Sequence, residues 1–283
     1  IRRDFNINAM VIELKENNLI DLFSGLDAIS NMKIDFLHEL SVLEDPTRII
    51  RASRYSAKLD FNLSNKALRQ IQNTINSWPW NWHIGDQPNL APSALSIRLR
   101  MELELLFKNN YWKKALKNLQ EWGGLKILDS KLQNDQSLSE KILLAKNSGI
   151  EPLIAFVYEA ANPLDLSERL QLSQHQKEII EGAYQLNKYL KNIITSQSFE
   201  NWSPSKWTTF LEEININESC FMLEIIRKNP LRKYLSSWLY DWRYIDSPTN
   251  GDDLIAQGWE SGPALGIEIK RQRMKLIDEK YII

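Results

Sequence analysis

The sequence predicts a mainly α-helical protein that opens on a short β-hairpin. Ten Gly and ten Pro among 283 residues leave room for long, uninterrupted elements. Leu95, Leu99, Leu103 and Leu106 recur at the spacing of one helical stripe. Near the start, apolar Met10–Leu14 and Leu19–Phe23 flank polar Lys15–Asn18, which reads as two strands and a four-residue loop.

The elements follow in order. A two-stranded hairpin is marginal alone in water. It is therefore expected to belong to a larger sheet with strands before Ile1, so that the chain reads as cut, and no other strong strand follows. Asp45-Pro46 predicts a helix start, with Asp as the cap and Pro at the first helical position. Ile49, Ala52, Ser56 and Leu59 then recur at helical spacing. Trp78-Pro79-Trp80-Asn81-Trp82 breaks the pattern and begins a loop reaching about Pro92. A helix over Ala94–Lys108 follows, and Gly123-Gly124 ends the next one. Ser173-Gln174-His175-Gln176 is a capping box. The last third holds helical Lys206–Glu213 and Leu223–Tyr244, then a Gly-marked stretch, Gly251–Gly266.

Composition excludes several classes. Lys plus Arg is 35 and Asp plus Glu is 36, a formal net charge of −1, with 43% hydrophobic residues, as in ordinary globular proteins. The single cysteine, Cys220, permits no internal disulfide, and the three histidines lie far apart without metal-ligand spacing. No apolar run approaches the roughly 20 residues of a membrane span, so the cytosol is the expected compartment. Near-zero net charge does not exclude nucleic-acid binding, which depends on local charge.

Four constellations could carry chemistry. Arg2-Arg3-Asp4-Phe5-Asn6-Ile7-Asn8 is a dense set of donors, or else a solvated edge with a local ion pair. Asp45, Arg48, Arg51 and Arg54 fall three apart and line one inclined ridge of a helix. Such a row suits a nucleotide, because Arg is a planar fork for phosphate and an Asp–Arg pair offers an acceptor and donors to a base edge. The plainer reading makes Asp45 a cap and the arginines a solvated face. Arg227, Lys228, Arg232, Lys233 and Arg243 interleave with Tyr234, Trp238, Tyr240, Trp242 and Tyr244. That mixture can neutralise phosphates and stack on bases, with Trp238 a candidate RNA-facing ring, or it is an amphipathic helix with its tryptophans in the core. Gly turns at Gly251 and Gly262–Gly266 could bind phosphate at helix starts, or serve hairpin packing.

The motifs carry a resemblance. Arg2–Met10 resembles the R-R-D-F-T-I-N-A-M motif of the class II tRNA nucleotidyltransferase and bacterial poly(A) polymerase family, with Asn6 in place of Thr. Asp21–Ile29 is similar to the family's D-P-F-G-G-x-x-D-L, altered at Leu22, Ser24 and Ala28. Glu44–Phe61 resembles E-D-P-L-R-I-L-R-A-A-R-F-A-A-R-L-G-F. Arg98–Leu103, Arg169–Ser173 and Gly251–Gly266 resemble later family elements in the same order.

The resemblance implies a mainly α fold with head, neck, body and tail. Residues 1–43 would be the end of a nucleotidyltransferase head, 44–130 a neck with the base-reading helix, 131–200 a body and 201–283 a tRNA-binding tail. It implies addition of C, C and A, or part of CCA, to tRNA 3′ ends from CTP and ATP with Mg²⁺. The partners would be tRNA and nucleoside triphosphates, with no membrane. Arg3 would contact the incoming nucleotide, Asp45 and Arg48 would read the base edge, and Arg51 and Arg54 would complete the pocket. Arg98 and Glu102 would brace the neck. Arg227, Lys228, Arg232, Lys233 and Arg243 would bind RNA. The family's metal-binding aspartates precede the Arg-Arg-Asp motif, so the Mg²⁺ ligands are expected upstream and the chain alone is expected to be inactive. The alternatives are a poly(A) polymerase of the same family and a non-catalytic RNA-binding module.

Overall fold

The computed structural model describes residues 3–77, 94–196, 199, 201–227 and 230–281. The Trp78–Trp82 segment, Arg2 and Lys228 lie outside the described residues. The chain divides into two compact units, Ile1–Lys177 and Glu178–Ile283.

The first unit opens as the apolar pattern dictates. Val11–Glu13 pairs antiparallel with Asn18–Ile20, in the register Val11↔Ile20, Ile12↔Leu19 and Glu13↔Asn18. All six residues are exposed. Two further strands, missed because each is two residues long, pair in parallel: Lys33–Ile34 with Asn62–Leu63. Buried Asn6 ties the N-terminal segment to this layer. Its amide donates to the Asp35 carbonyl at 3.1 Å, and its side-chain oxygen accepts from the Asp35 amide at 3.2 Å. Ser24 has φ of 53°, and Asp21 caps the short Gly25–Ser30 helix by accepting from the Gly25 and Leu26 amides at 2.8 and 2.9 Å. Those amides hold the Asp21 carboxyl below its ordinary pKa.

Helices build the rest of the unit. Thr47–Leu59 buries Ile49, Ile50, Ala52 and Ala57 and packs between Leu95–Lys108 and Trp112–Glu121. The leucine stripe lies where its spacing places it: Leu95, Leu99, Leu103 and Leu106 are all fully buried. Gly123, at φ 73°, follows Trp112–Glu121 as an αL residue that glycine adopts without strain. Gly124 is required by packing, since a Cβ there would sit 2.7 Å from Ile49 Cγ2. Proline leads the Pro152–Tyr158 and Pro163–Arg169 helices, where its missing N–H costs nothing. The capping box forms as read: the Gln176 amide donates to Ser173 Oγ at 3.3 Å, and the Ser173 amide donates to Gln176 Oε1 at 3.0 Å.

The second unit is built on aromatic residues. Trp207 and Phe221 are fully buried, and Trp238 and Trp242 nearly so, in one cluster with Leu186, Leu190, Leu235 and Ile277. Trp207 stacks on Tyr234 with centroids 4.8 Å apart and planes 14° from parallel. The single helical stretch expected over Leu223–Tyr244 is instead two helices, Glu218–Ile226 and Arg232–Tyr240, then a 3-10 turn, Trp242–Tyr244. Arg227 leaves the helix at ψ 148°, and Pro230 offers no amide hydrogen to continue it. The final helix, Pro263–Lys280, is held by Asp278, which accepts from the Ser205 amide at 2.8 Å and from Ser205 Oγ at 2.7 Å.

Candidate nucleotide-binding site

A cleft of about 340 Å³ opens in the first unit between the N-terminal segment, the start of the Thr47–Leu59 helix and the Leu95–Lys108 helix. Arg3, Asp45, Arg48 and Arg51 line it, joined by Asp4, Thr47, Arg98 and Glu102. Met101 and Leu105 form an apolar wall, 51% and 39% exposed.

Asp45 engages both of its carboxylate oxygens. One carboxylate oxygen, Oδ1, accepts from the Thr47 amide at 3.2 Å and from Thr47 Oγ1 at 2.6 Å, at the residue where the helix begins, although Pro46 rather than Asp45 takes the cap position. The other, Oδ2, accepts from Arg98 Nη1 at 2.9 Å. The carboxylate is thereby held at the cleft, one helical turn before Arg48. Arg48 Nη1 donates to the Ser41 carbonyl at 3.0 Å and also to Ser41 Oγ. Arg3 is exposed and makes no hydrogen bond or ion pair among the described residues.

The next two arginines of the ridge are differently employed. Arg51 donates through Nε and Nη2 to Asp4 at 2.8 and 2.5 Å, and through Nη1 to Glu102 at 2.7 Å. Burial alone would lower the Arg51 guanidinium, but the hydrogen bonds to Glu102 and Asp4, and their charges, outweigh it and hold it above its ordinary value. Arg54 Nη1 pairs with the other Glu102 oxygen. Arg54 lines a smaller cavity of its own, with Tyr55, Lys58 and Tyr111. Glu102 is 8% exposed and thus bridges two guanidiniums from the next helix. Asp4 was legible as part of an ion pair, but not that its partner is Arg51, 47 residues on. Met101 and Leu105 carried no sequence signal beyond exposed apolar positions.

The basic candidates of the second unit are dispersed. Arg232 and Lys233 are exposed at the start of their helix, and Lys233 Nζ lies 4.8 Å from the Tyr234 ring centre. Arg227 lies 3.9 Å from buried Glu224. Arg243 pairs with Glu218 and stacks over Trp238 and Tyr244 at 5.4 and 5.0 Å. Tyr234, Trp238 and Trp242 are core, so Trp238 does not present its face to solvent. Tyr240 and Tyr244 are exposed, at 59% and 65%. The Gly251 turn closes on itself: Asn250 and Asp253 form a reciprocal capping box, which occupies the amides a phosphate would need. Among the described residues no group of three or more His, Cys, Asp or Glu is placed to hold a metal ion.

The Poly A polymerase head domain family matches residues 1–35. An A-adding tRNA nucleotidyltransferase of Geobacter sulfurreducens is 24% identical over 284 residues, covering 93% of this chain and 31% of that protein. The A-adding tRNA nucleotidyltransferase of Aquifex aeolicus is 42% identical over 79 residues, which is 27% of this chain and 10% of the relative. The chain thus spans a third or less of these relatives. Among solved structures, a CCA-adding enzyme in complex with ATP superposes with a TM-score of 0.65 at 22% identity, covering 98% of this chain and 68% of that one. The Thermotoga maritima CCA-adding enzyme complexed with tRNA gives a TM-score of 0.63 at 21% identity, with 98% and 68% covered. At these identities the two structures establish a shared fold.

Proposed function

We propose that this chain, a member of the class II tRNA nucleotidyltransferase and bacterial poly(A) polymerase family, selects C and A for template-independent addition to tRNA 3′ ends and binds the RNA that receives them. The observation that carries this reading is the Asp45–Arg48 pair: an acceptor pinned by Thr47 and Arg98, followed one turn later by a guanidinium. Cytosine and adenine present an exocyclic amine that Asp45 can accept from, beside a ring nitrogen that Arg48 can donate to. Uracil and guanine place a carbonyl against the carboxylate. The unpaired acceptors then cost about 1–3 kcal/mol, or roughly five- to a hundredfold in affinity.

Arg3 contributes positive charge at the mouth of the cleft for ribose or phosphate. Arg51, fully engaged by Asp4 and Glu102, fixes the floor. Arg227, Lys228, Arg232, Lys233 and Arg243 supply RNA contacts. The longer relatives' names favour the tRNA branch of the family over the poly(A) branch. Residues 1–43, 44–130, 131–200 and 201–283 act as head end, neck, body and tail in this proposal, and Mg²⁺ ligation falls to residues outside the chain. No helix among the described residues is long and apolar enough to cross a membrane, and action in the cytoplasm belongs to the same proposal.

The test is equilibrium binding of CTP, ATP, UTP and GTP to the chain and to Asp45→Asn. The native chain is expected to prefer CTP and ATP, and the variant to lose that preference while keeping its bond to Thr47. Equal affinity of the native chain for all four nucleotides would overturn the reading.

A further inference from the structure

Beyond the cleft, the same helix carries a second, smaller cavity. It measures about 70 Å³ and is lined by Arg54, Tyr55, Lys58 and Tyr111. The space is large enough to hold a small oxyanion. Lys58 lies ten residues beyond Arg48, about 15 Å along the helix axis.

The lining is all donors. Other cavities of this unit contain carboxylates: Asp4, Asp45 and Glu102 in the cleft, Asp60 and Glu121 beside Lys117, Glu104 and Glu151 beside Phe107. Here two cations meet two phenols and no acid. Glu102 pairs with Arg54 Nη1, so the guanidinium is held in orientation. Asp60, two residues after Lys58, is ion-paired with Lys114 instead. Lys58 forms no ion pair among the described residues, and neither the Tyr55 nor the Tyr111 hydroxyl has a hydrogen-bond partner there. The Tyr55 ring is fixed edge-on against buried Phe5, with centroids 5.3 Å apart. A tetrahedral anion bearing several acceptor oxygens matches this set, since Lys, Arg and phenol all donate.

We propose that Arg54, Tyr55, Lys58 and Tyr111 form a subsite for a backbone phosphate of the RNA strand whose 3′ end reaches the cleft. The proposal rests on the function given above and adds a position on the RNA. The cavity follows the cleft along one helix, at a distance that a few nucleotides of strand can span. Its phosphate is distinct from those of the incoming nucleotide.

The experiment measures binding of a hairpin RNA with unpaired 3′ nucleotides to the full chain by fluorescence anisotropy over a range of KCl. Lys58→Gln, Lys58→Arg and Tyr111→Phe are compared, with circular dichroism to verify folding. Lys58→Gln is expected to weaken RNA binding about three- to tenfold at low salt and to reduce the log–log salt slope by about 0.7, the value for one phosphate of a single strand. Lys58→Arg should retain the slope, and Tyr111→Phe should weaken binding at unchanged slope. CTP and ATP affinity should not move. An unchanged RNA slope in Lys58→Gln overturns the subsite while leaving nucleotide selection intact. A parallel loss of CTP and ATP affinity assigns the cavity to the nucleotide and also overturns it. So does a Lys58→Gln variant that loses binding of inorganic phosphate while binding RNA as the native chain does. A native chain that binds no RNA defeats both this subsite and the RNA part of the function above.

Discussion

Arg98, in the first turn of the Leu95–Lys108 helix, donates across 2.9 Å to Asp45, just ahead of the Thr47–Leu59 helix. The contact leaves Asp45 with no rotational freedom, because Thr47 already holds its other oxygen. A base-reading carboxylate needs that immobility, since a group that can turn away does not penalise the wrong base. Arg98→Ala is therefore expected to narrow the affinity difference between CTP and UTP. Arg98 is 42% exposed on its side chain, so the stability loss should be at most about 1 kcal/mol. Nucleotide titration and thermal unfolding of the same variant separate the two effects.

Glu102 is the more heavily loaded of the two braces. It neutralises Arg51 and Arg54 at once and is almost fully buried. Glu102→Gln leaves Arg51 facing only Asp4 and removes the carboxylate that Arg54 pairs with, and removing one partner of a buried ion pair typically costs about 3–5 kcal/mol. Chemical denaturation should show a loss of about that size. A change below about 1 kcal/mol would mean that solvent, rather than Glu102, compensates the arginines.

Glu224 makes the second unit sensitive to pH. It is fully buried, accepts from Asn187 Nδ2 at 2.8 Å, and has Arg227 3.9 Å away. Burial pushes its carboxyl up to about 7, with Arg227 pulling in the opposite direction. The folded state thus holds a proton that the unfolded chain, near its ordinary 4.5, releases earlier. Between these values the native state binds more protons, so stability falls as pH rises. The change is about 3 kcal/mol over the window from pH 4.5 to 7. Glu224→Gln should flatten this part of the unfolding profile. An identical pH dependence in the variant would remove Glu224 as its source.

Arg232 and Lys233 are exposed, whereas Arg243 is stacked and ion-paired. Charge removal at Arg232 and Lys233 is expected to lower RNA affinity and to reduce the salt slope by about 1.4, two single-strand phosphates. Arg243→Ala should in addition lower thermal stability, through lost packing on Trp238. Salt-dependent binding and melting curves distinguish them.

Gly124→Ala is expected to destabilise the first unit by about 1–3 kcal/mol through overpacking. The added methyl would meet Ile49 Cγ2 at 2.7 Å and Leu119 Cδ2 at 3.1 Å, inside the packed core. Thermal unfolding measures it.

Local signals were the legible ones. The hairpin, the leucine stripe and the Ser173 box each depend on residues a few positions apart, and each is present; Asp45 bonds Thr47 at the helix start, though Pro46 takes the cap position. The helix break near Pro230 was also written in the sequence, but the apolar residues before it and the aromatic run after it masked it. Long-range partnerships were not legible. Nothing in the spacing of Arg51 says that Asp4 and Glu102 will consume its donors, because those contacts span 47 and 51 residues. The division of Asp45, Arg48, Arg51 and Arg54 between two cavities follows from the same cause. Their three-residue spacing draws a ridge, and what packs against each turn of that ridge decides the role. Trp238 lies in the core because Phe221 covers it at 4.6 Å, a contact that spans the break.

The Val11–Glu13 and Asn18–Ile20 ribbon has a colloidal consequence. Val11, Ile12, Leu19 and Ile20 are each at least 42% exposed, and Leu14 is 93% exposed. A two-stranded ribbon has an unpaired edge on each side, and such edges template intermolecular strand pairing. The purified chain should self-associate as its concentration rises, and a lysine at Ile12 should raise the concentration at which it does so.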